Sequence, residues 1–185
     1  MIAPPLDTVA AARLASCFRL LDIVCVGLEA KHLTTEDLPD GAGLGWETPP
    51  GQIVWDLDGD VLKVVLPFCL FIHAQKNGET KDAKKARLAE ISLVMRIEYA
   101  VNRGVEWSDK DVPHYVGVCS YLHAWPYFRA DVQSLSTKLG FPPLLLPVIV
   151  SGHAAMQSTV LQLSEVKNAP PLPRKQARTK AKLAK

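Results

Sequence analysis

The spacing of apolar residues between Asp111 and Leu139 predicts one long amphipathic helix. From Val118 onward these residues recur every three or four positions, so on a helix they form a continuous stripe, and the charged and amide side chains fall mostly on the opposite side. Pro126 interrupts the stripe and cannot donate a backbone hydrogen bond. We therefore predict two helical arms joined by a kink at this proline.

Signals at both ends indicate where this helix starts and stops. We expect its N-cap at Asp109 or Asp111 and its end at Gly140, because glycine adopts the left-handed cap conformation more readily than other residues. The two prolines that follow forbid any continuation of the helix. Residues 144–150 are almost wholly apolar but contain Pro147, so they predict a buried extended connection and not a central strand.

Shorter periods predict four strands ahead of the helix. Asp58-Gly59 is a strong hairpin signal between the second and the third strand. In the fourth, apolar and polar residues alternate, which predicts one buried face, although a helix is the competing interpretation of that segment. In the first, both alternating sets are apolar, so we expect burial on both faces for part of its length. The four predicted strands are Phe18 to Glu29, Gln52 to Leu57, Val61 to Ala74 and Ala86 to Val101.

The remaining segments complete the order of elements. Residues 31–51 are rich in glycine and proline and predict a long loop. The spacing of Met156, Val160 and Leu163 predicts a last helix over residues 153–166. Strands followed by helices indicate an α+β fold: a four-stranded antiparallel sheet, a kinked long helix, an extended proline-containing link and a second helix.

Length and composition predict one domain with two appendages. A chain of 185 residues is long enough for one core of ordinary size. Residues 1–16 predict a short alanine-rich helix or a disordered lead, residues 17–168 the domain, and residues 169–185 a basic tail that buries too little apolar surface to fold. No segment is typical of a secretion signal or a membrane span, so we expect a cytoplasmic protein with reduced cysteines.

The charge of the chain is unevenly distributed. Six of the 21 basic residues lie in residues 169–185, which contain no acidic residue, so the rest carries 15 basic and 19 acidic residues, a net charge of about −4. Such a tail could neutralise phosphates, but no aromatic residues are interleaved with its charges, so we expect no nucleic-acid partner. The six basic residues are Arg174, Lys175, Arg178, Lys180, Lys182 and Lys185.

The acidic residues around the predicted hairpin turn begin like a calcium-binding loop. Asp56, Asp58 and Asp60 alternate with other residues as the first ligands of such a loop do. The bidentate acid expected at the twelfth position falls on Pro67, which has no carboxylate. We therefore predict an ordinary hairpin turn.

Cys119 and His123 are the strongest candidates for catalytic or metal chemistry. They are four residues apart, so on a helix they share one face and could bind one metal ion or form a thiolate–imidazole pair. No second pair at ligand spacing accompanies them, and Cys119 lies beside the apolar stripe. We therefore expect no enzymatic activity, no catalytic or metal-binding residue and no cofactor.

Two motifs give the chain a family resemblance. Trp125-Pro126-Tyr127-Phe128-Arg129 lies within the long helix, and Gly140-Phe141-Pro142-Pro143-Leu144 follows its end. In this order and spacing they resemble SecB, the bacterial export chaperone, and its relatives attached to toxin-antitoxin systems. The similarity extends from about Phe18 to Val166. It implies a SecB-like fold, a homotetramer built as a dimer of dimers, and ATP-independent holding of unfolded polypeptides, a holdase activity, in long apolar grooves.

The resemblance also implies a set of groove residues and partners. In the family the loop after the first strand, residues of the sheet and the last helix line the groove. SecB docks on the translocation motor SecA with the help of a strongly acidic surface. The chain without its basic tail lacks such a surface. Two functions therefore stay open, export with SecA and protection of an antitoxin. A non-enzymatic adaptor or nucleic-acid-interacting protein that acts through its basic tail is the alternative class. The groove positions carried over are Leu44, Trp46, Ile53, Trp55, Met156, Val160 and Leu163.

Overall fold

Two α-helices and six strands make up the described part of the chain. The computed structural model describes residues 7–34, 43–49, 51–75, 87–102, 104–147 and 159–162. None of the described helices has the length and apolar content needed to cross a bilayer. The elements are α1 (Thr8–Arg13), a 3-10 turn (Leu14–Ser16), β1 (Phe18–His32), β2 (Gly43–Glu47), β3 (Gln52–Asp58), β4 (Val61–Gln75), β5 (Arg87–Val101), α2 (Val112–Lys138) and β6 (Thr159–Gln162).

The strands form one sheet in the order β1-β5-β4-β3-β6, with β2 beside β4. The first half of β4 pairs with β3 and its last residues, Phe71–Gln75, pair with β2. All described pairings are antiparallel except that of β3 with β6. The two-residue turn between β3 and β4 contains Gly59 at φ 60°, as its Asp-Gly pair predicts. An antiparallel sheet with helices confirms the predicted α+β class.

Helix α2 covers one face of the sheet and forms the core with it. Alternate residues of β5 from Ile91 to Tyr99 are buried under the helix, so the predicted alternation of this strand is confirmed. The Phe128 ring stacks on Phe68 of β4 with centroids 4.6 Å apart, and both rings are buried. The predicted stripe is buried except at Leu122, which is 39% exposed, and at Leu139, which is partly buried.

Helix α2 runs as one continuous helix from Val112 to Lys138 and contains Pro126. Pro126 lies on the exposed side of the helix. Proline has no N–H, so the carbonyl one turn earlier lacks its helical donor. Because this side of the helix is exposed, water can donate to that carbonyl instead. The N-cap is Asp111, although its side chain makes no capping hydrogen bond.

The end of α2 matches its sequence signals. Gly140 has φ 81°, its N–H donates to the Thr137 carbonyl, and the Phe141 N–H donates to the Ser136 carbonyl. This pair of hydrogen bonds is the Schellman arrangement, which satisfies the last carbonyls of a helix and reverses the chain direction. The chain after Gly140 consequently returns along the side of the helix that it has just left.

Two predictions about residues 31–51 and 153–166 need correction. The predicted loop contains β2, which bonds to the second half of β4, and β1 extends to His32. Within the predicted second helix, residues 159–162 form β6, because the exposed edge of β3 offers hydrogen bonds to an extended segment. The rest of that predicted helix lies outside the described residues.

Strand β1 is an exposed edge strand, contrary to the prediction that both its faces are partly buried. It pairs only with β5 among the described strands, and register shifts follow Leu20 and Cys25. Each shift is a bulge that inserts an extra residue and breaks the alternation on which the prediction rested. Leu21, Val26 and Leu28 are 47%, 52% and 53% exposed.

The N-terminal segment is helical, in agreement with one of its two predicted states. The Asp7 carboxylate accepts hydrogen bonds from the backbone N–H groups of Val9 and Ala10, which caps α1 and lowers the pKa of Asp7. Helix α1 packs on α2, and Leu14 just after it is buried in the core.

Candidate functional site

The ring of His73 on β4 lies over Gly45 of β2. Gly45 is opposite His73, and a β-carbon at position 45 would come within 2.4 Å of the buried His73 ring. Only a glycine therefore permits this approach. At the end of β2 the Arg87 guanidinium lies over the Phe71 ring at 3.7 Å and binds the Glu47 carboxylate at 2.7 Å. These contacts fix the strand that carries Leu44 and Trp46.

The segment after α2 is tied to the helix by three hydrogen bonds. The Trp125 indole N–H donates to the Pro147 carbonyl at 2.8 Å, and the Arg129 guanidinium donates to the Leu146 carbonyl at 2.9 Å. The Leu144 N–H donates to the Ser136 hydroxyl at 3.0 Å. The two motifs of the sequence are therefore one structural unit, in which the helical motif anchors the proline-containing segment. The predicted extended connection is present as far as residue 147, but its burial is only partial: Leu144 and Leu146 are buried, whereas Leu145 is exposed.

An apolar pocket of about 310 Å³ lies between β2 and this segment. Leu144 points into the core, whereas Leu145 is 71% exposed and Trp46 is 36% exposed. The pocket opens to solvent and none of its lining residues is titratable, so it can bind an apolar group but cannot supply a proton or a nucleophile. Its main lining residues are Leu44, Trp46, Pro142, Pro143, Leu144 and Leu145.

The structure brings together part of the predicted groove. Leu44 and Trp46 share the pocket, whereas Ile53 and Trp55 lie in the core, with exposures of 0% and 6%. Val160 is on β6 opposite Ile53. The side chain of Val160, and the whole of Met156 and Leu163, lie outside the described residues.

The wall formed by residues 142–145 was not among the predicted groove positions. Its signal in the sequence is an apolar run held extended by prolines, in which every second side chain faces away from the core. Leu145 lies between the buried Leu144 and Leu146. An exposed leucine in such a run marks a surface that can bind an apolar partner.

Cys119 and His123 lie in surroundings that disfavour their charged forms. Burial raises the pKa of the Cys119 thiol to about 11, so the thiol is protonated at neutral pH. The His123 Nδ1 lies 3.0 Å from the Tyr99 hydroxyl, and burial lowers the pKa of His123, so the imidazole is neutral as well. Within the described ranges no group of three or more His, Cys, Asp or Glu side chains could hold a metal ion.

Alkylation tests the state of this thiol. Iodoacetamide should label Cys119 slowly at pH 7.5, and the rate should rise roughly tenfold per pH unit toward the pKa, because only the thiolate reacts. Peptide mass spectrometry measures the rate at each cysteine, and the exposed Cys25 is the internal control. Fast labelling of Cys119 at pH 7.5, or loss of the cellular effect of the protein in a folded Cys119→Ala variant, would contradict this assignment.

The sheet, the long helix and the proline-containing segment anchored to it identify the fold class. The chain has the SecB-like chaperone fold. A solved structure with this fold is the Mycobacterium tuberculosis SecB-like chaperone Rv1957 in complex with a ChAD peptide from the Rv1956 HigA1 antitoxin. It is 20% identical in sequence, with a TM-score of 0.59, and the match covers 77% of this chain and 98% of that one. The resemblance of fold inferred from the two motifs is thereby confirmed. No protein-family model and no curated protein matches the chain.

Proposed function

We propose that the protein is an ATP-independent chaperone, a holdase, that binds unfolded or extended polypeptides. The observation that supports this proposal best is the solvent-open apolar pocket formed by Leu44, Trp46 and residues 142–145. The pocket offers burial of apolar surface and no titratable group, which suits a ligand that is recognised and then released without chemical change. We accordingly propose no enzymatic activity and no cofactor.

An extended client fits the geometry around the pocket. Among the described strands β2 pairs with β4 alone, so its other edge is available for main-chain hydrogen bonds to a client strand. Alternate client side chains would then point toward the pocket. Burying about 200 Å² of apolar client surface there would contribute roughly 5 kcal/mol before the cost of ordering the client is subtracted. One such contact gives weak binding, so tight holding requires several contacts on one client.

We further propose a cytoplasmic antitoxin as the main client and general export as the second possibility. The structural relative binds an antitoxin peptide, and the fold of this chain matches that relative over almost its whole length. The body of this chain has a net charge of only about −4, which gives little attraction for a partner that recognises an acidic surface, as SecA does in the SecB family.

A pulldown from the source cytoplasm followed by an aggregation assay tests the proposed function. We expect capture of one small partner and suppression of its aggregation without ATP. Capture of many unfolded secretory precursors would favour export, with SecA as a further partner. If no captured polypeptide were protected from aggregation, the chaperone proposal would be wrong.

We also propose that the chain assembles as a homotetramer, a dimer of dimers. The edge strand β1 and the outer side of α2 expose large apolar side chains, including Leu28 at 53% and Tyr127 at 50%, which contacts between chains would bury. Sedimentation at micromolar concentration should give a species of several times the chain mass. A single species near the chain mass of 20.3 kDa would contradict the proposal.

A further inference from the structure

A second pocket, of about 390 Å³, lies at the opposite end of the molecule's long strands, beside the β3–β4 turn. Its floor is formed by Leu57, Val101 and Val105, and the Trp107 ring forms one wall. Phe18 packs edge-on against this ring, with centroids 5.5 Å apart, and so fixes its position. The pocket is therefore a preformed apolar site with a rigid aromatic wall.

Two carboxylates flank this aromatic wall. Glu106 and Asp109 both line the pocket, and both are exposed. Within the described residues neither side chain forms an ion pair. An aromatic surface beside exposed acids suits a ligand that combines an apolar or proline-containing part with a cation.

The course of β6 directs the rest of the chain toward this pocket. Strand β6 is parallel to β3, and Gln162 is opposite Trp55, so the chain leaves β6 in the direction of Gly59, which lines the pocket. About four extended residues, or roughly 13 Å, separate Gln162 from the level of Gly59. The seven residues 163–169 can span up to about 24 Å. Residue 170 and those just after it can therefore reach the pocket.

The segment that arrives there has matching chemistry. Its sequence is Pro170-Pro171-Leu172-Pro173-Arg174-Lys175, which contains three prolines, the first and last of them three residues apart, followed directly by two cations. Such a segment favours the polyproline II conformation, whose prolines pack on aromatic side chains at little entropic cost. The two cations come directly after the prolines, so they can form ion pairs with acids beside the aromatic ring.

We propose that residues 170–175 of the tail dock in this pocket of the same chain, with the prolines against Trp107 and the two cations against Glu106 and Asp109. The short connection from β6 makes the contact intramolecular and gives the tail a high effective concentration at the pocket. The docked tail covers the apolar pocket and neutralises part of its own charge. This proposal does not depend on the chaperone function.

Zero-length carbodiimide cross-linking of the full chain tests the contact directly. Mass spectrometry should find amide links from Lys175 to Glu106 or Asp109, and high salt should reduce them because the contact is charge-assisted. A mixture of ¹⁵N-labelled and unlabelled protein, unfolded and refolded together so that any assembly contains both species, distinguishes the source of each link. Links within one isotopic species support the proposal, whereas mixed-isotope links would show docking of another copy's tail and would overturn it.

Fluorine NMR of 5-fluorotryptophan protein provides a second readout at the aromatic wall. The chain has four tryptophans, and a Trp107→Phe variant assigns the signal of interest. Pro170→Ala with Pro173→Ala, and separately Arg174→Ala with Lys175→Ala, should shift the Trp107 signal, as should Glu106→Gln with Asp109→Asn.

The matched control removes the same charge farther along the tail. Lys182→Ala with Lys185→Ala should leave the Trp107 signal in place. An equal shift in this control would mean that the tail is attracted by overall charge only, and an unchanged signal in every variant would mean that it does not dock. Either result would overturn the proposal.

Discussion

Replacing Trp46 by aspartate should abolish the suppression of client aggregation while leaving the fold and the assembly intact. The indole lies at the surface of the apolar pocket and is 36% exposed, so the carboxylate can stay hydrated in the free protein. A bound apolar client would have to remove that water, which costs several kcal/mol for an unpaired carboxylate. Light scattering of an aggregating client in the presence of each variant measures the effect. Adding Met156→Glu, at another of the predicted groove positions, should remove any residual protection.

The control for this result is an equally exposed apolar residue far from the pocket. Val9 in α1 is 59% exposed, so Val9→Asp introduces the same charge at the surface without touching the pocket. This variant should protect clients as well as the parent protein does. If Trp46→Asp and Val9→Asp performed alike, the pocket would not be the client-binding site.

Replacing Phe128 by alanine should cause a large loss of stability. The ring is fully buried and stacks on Phe68, so its removal leaves a cavity at the interface between helix and sheet. The expected loss is about 3–5 kcal/mol, a large part of the roughly 5–15 kcal/mol that stabilises a domain. Urea unfolding followed by circular dichroism measures the free energy of unfolding of each variant.

The neighbouring residue offers a matched control for the stability measurement. Tyr127 is also an aromatic residue of α2 but is 50% exposed. Tyr127→Ala should change the free energy of unfolding by no more than about 0.5 kcal/mol in the unassembled chain. A similar loss in both variants would mean that Phe128 does not bury its ring against the sheet.

The elements that the sequence predicts best are those with a strong local period. Helix α2, its end at Gly140 and strand β5 are encoded by residues a few positions apart, so periodicity suffices to find them. Strands β2 and β6 are five and four residues long and exist because a distant strand offers a free edge. No local pattern shows that the edge of a distant strand is free. The sequence therefore predicts a loop over residues 31–51 and a helix over residues 159–162. In β1 the bulges remove the period itself.

The candidate site is predictable in part, for the same reason. Leu44 and Trp46 are predicted from the family resemblance, because in the SecB family the loop after the first strand lines the groove. Burial of Ile53 and Trp55 depends on how α2 covers the sheet, and alternation along β3 cannot tell a covered face from an open one. Residues 142–145 reach the pocket because the Schellman cap reverses the chain, so their role needed the three-dimensional path.

Because the His73 ring lies against Gly45, the residues that positions 45 and 73 can accept depend on each other. Any side chain at position 45 collides with the ring, so a change there is tolerated only together with a smaller residue at position 73. Among natural homologues the two positions should therefore covary: glycine with histidine, or a larger residue with a small one. Strand β2 can thus diversify at positions 44 and 46, which flank the glycine, while it stays paired with β4.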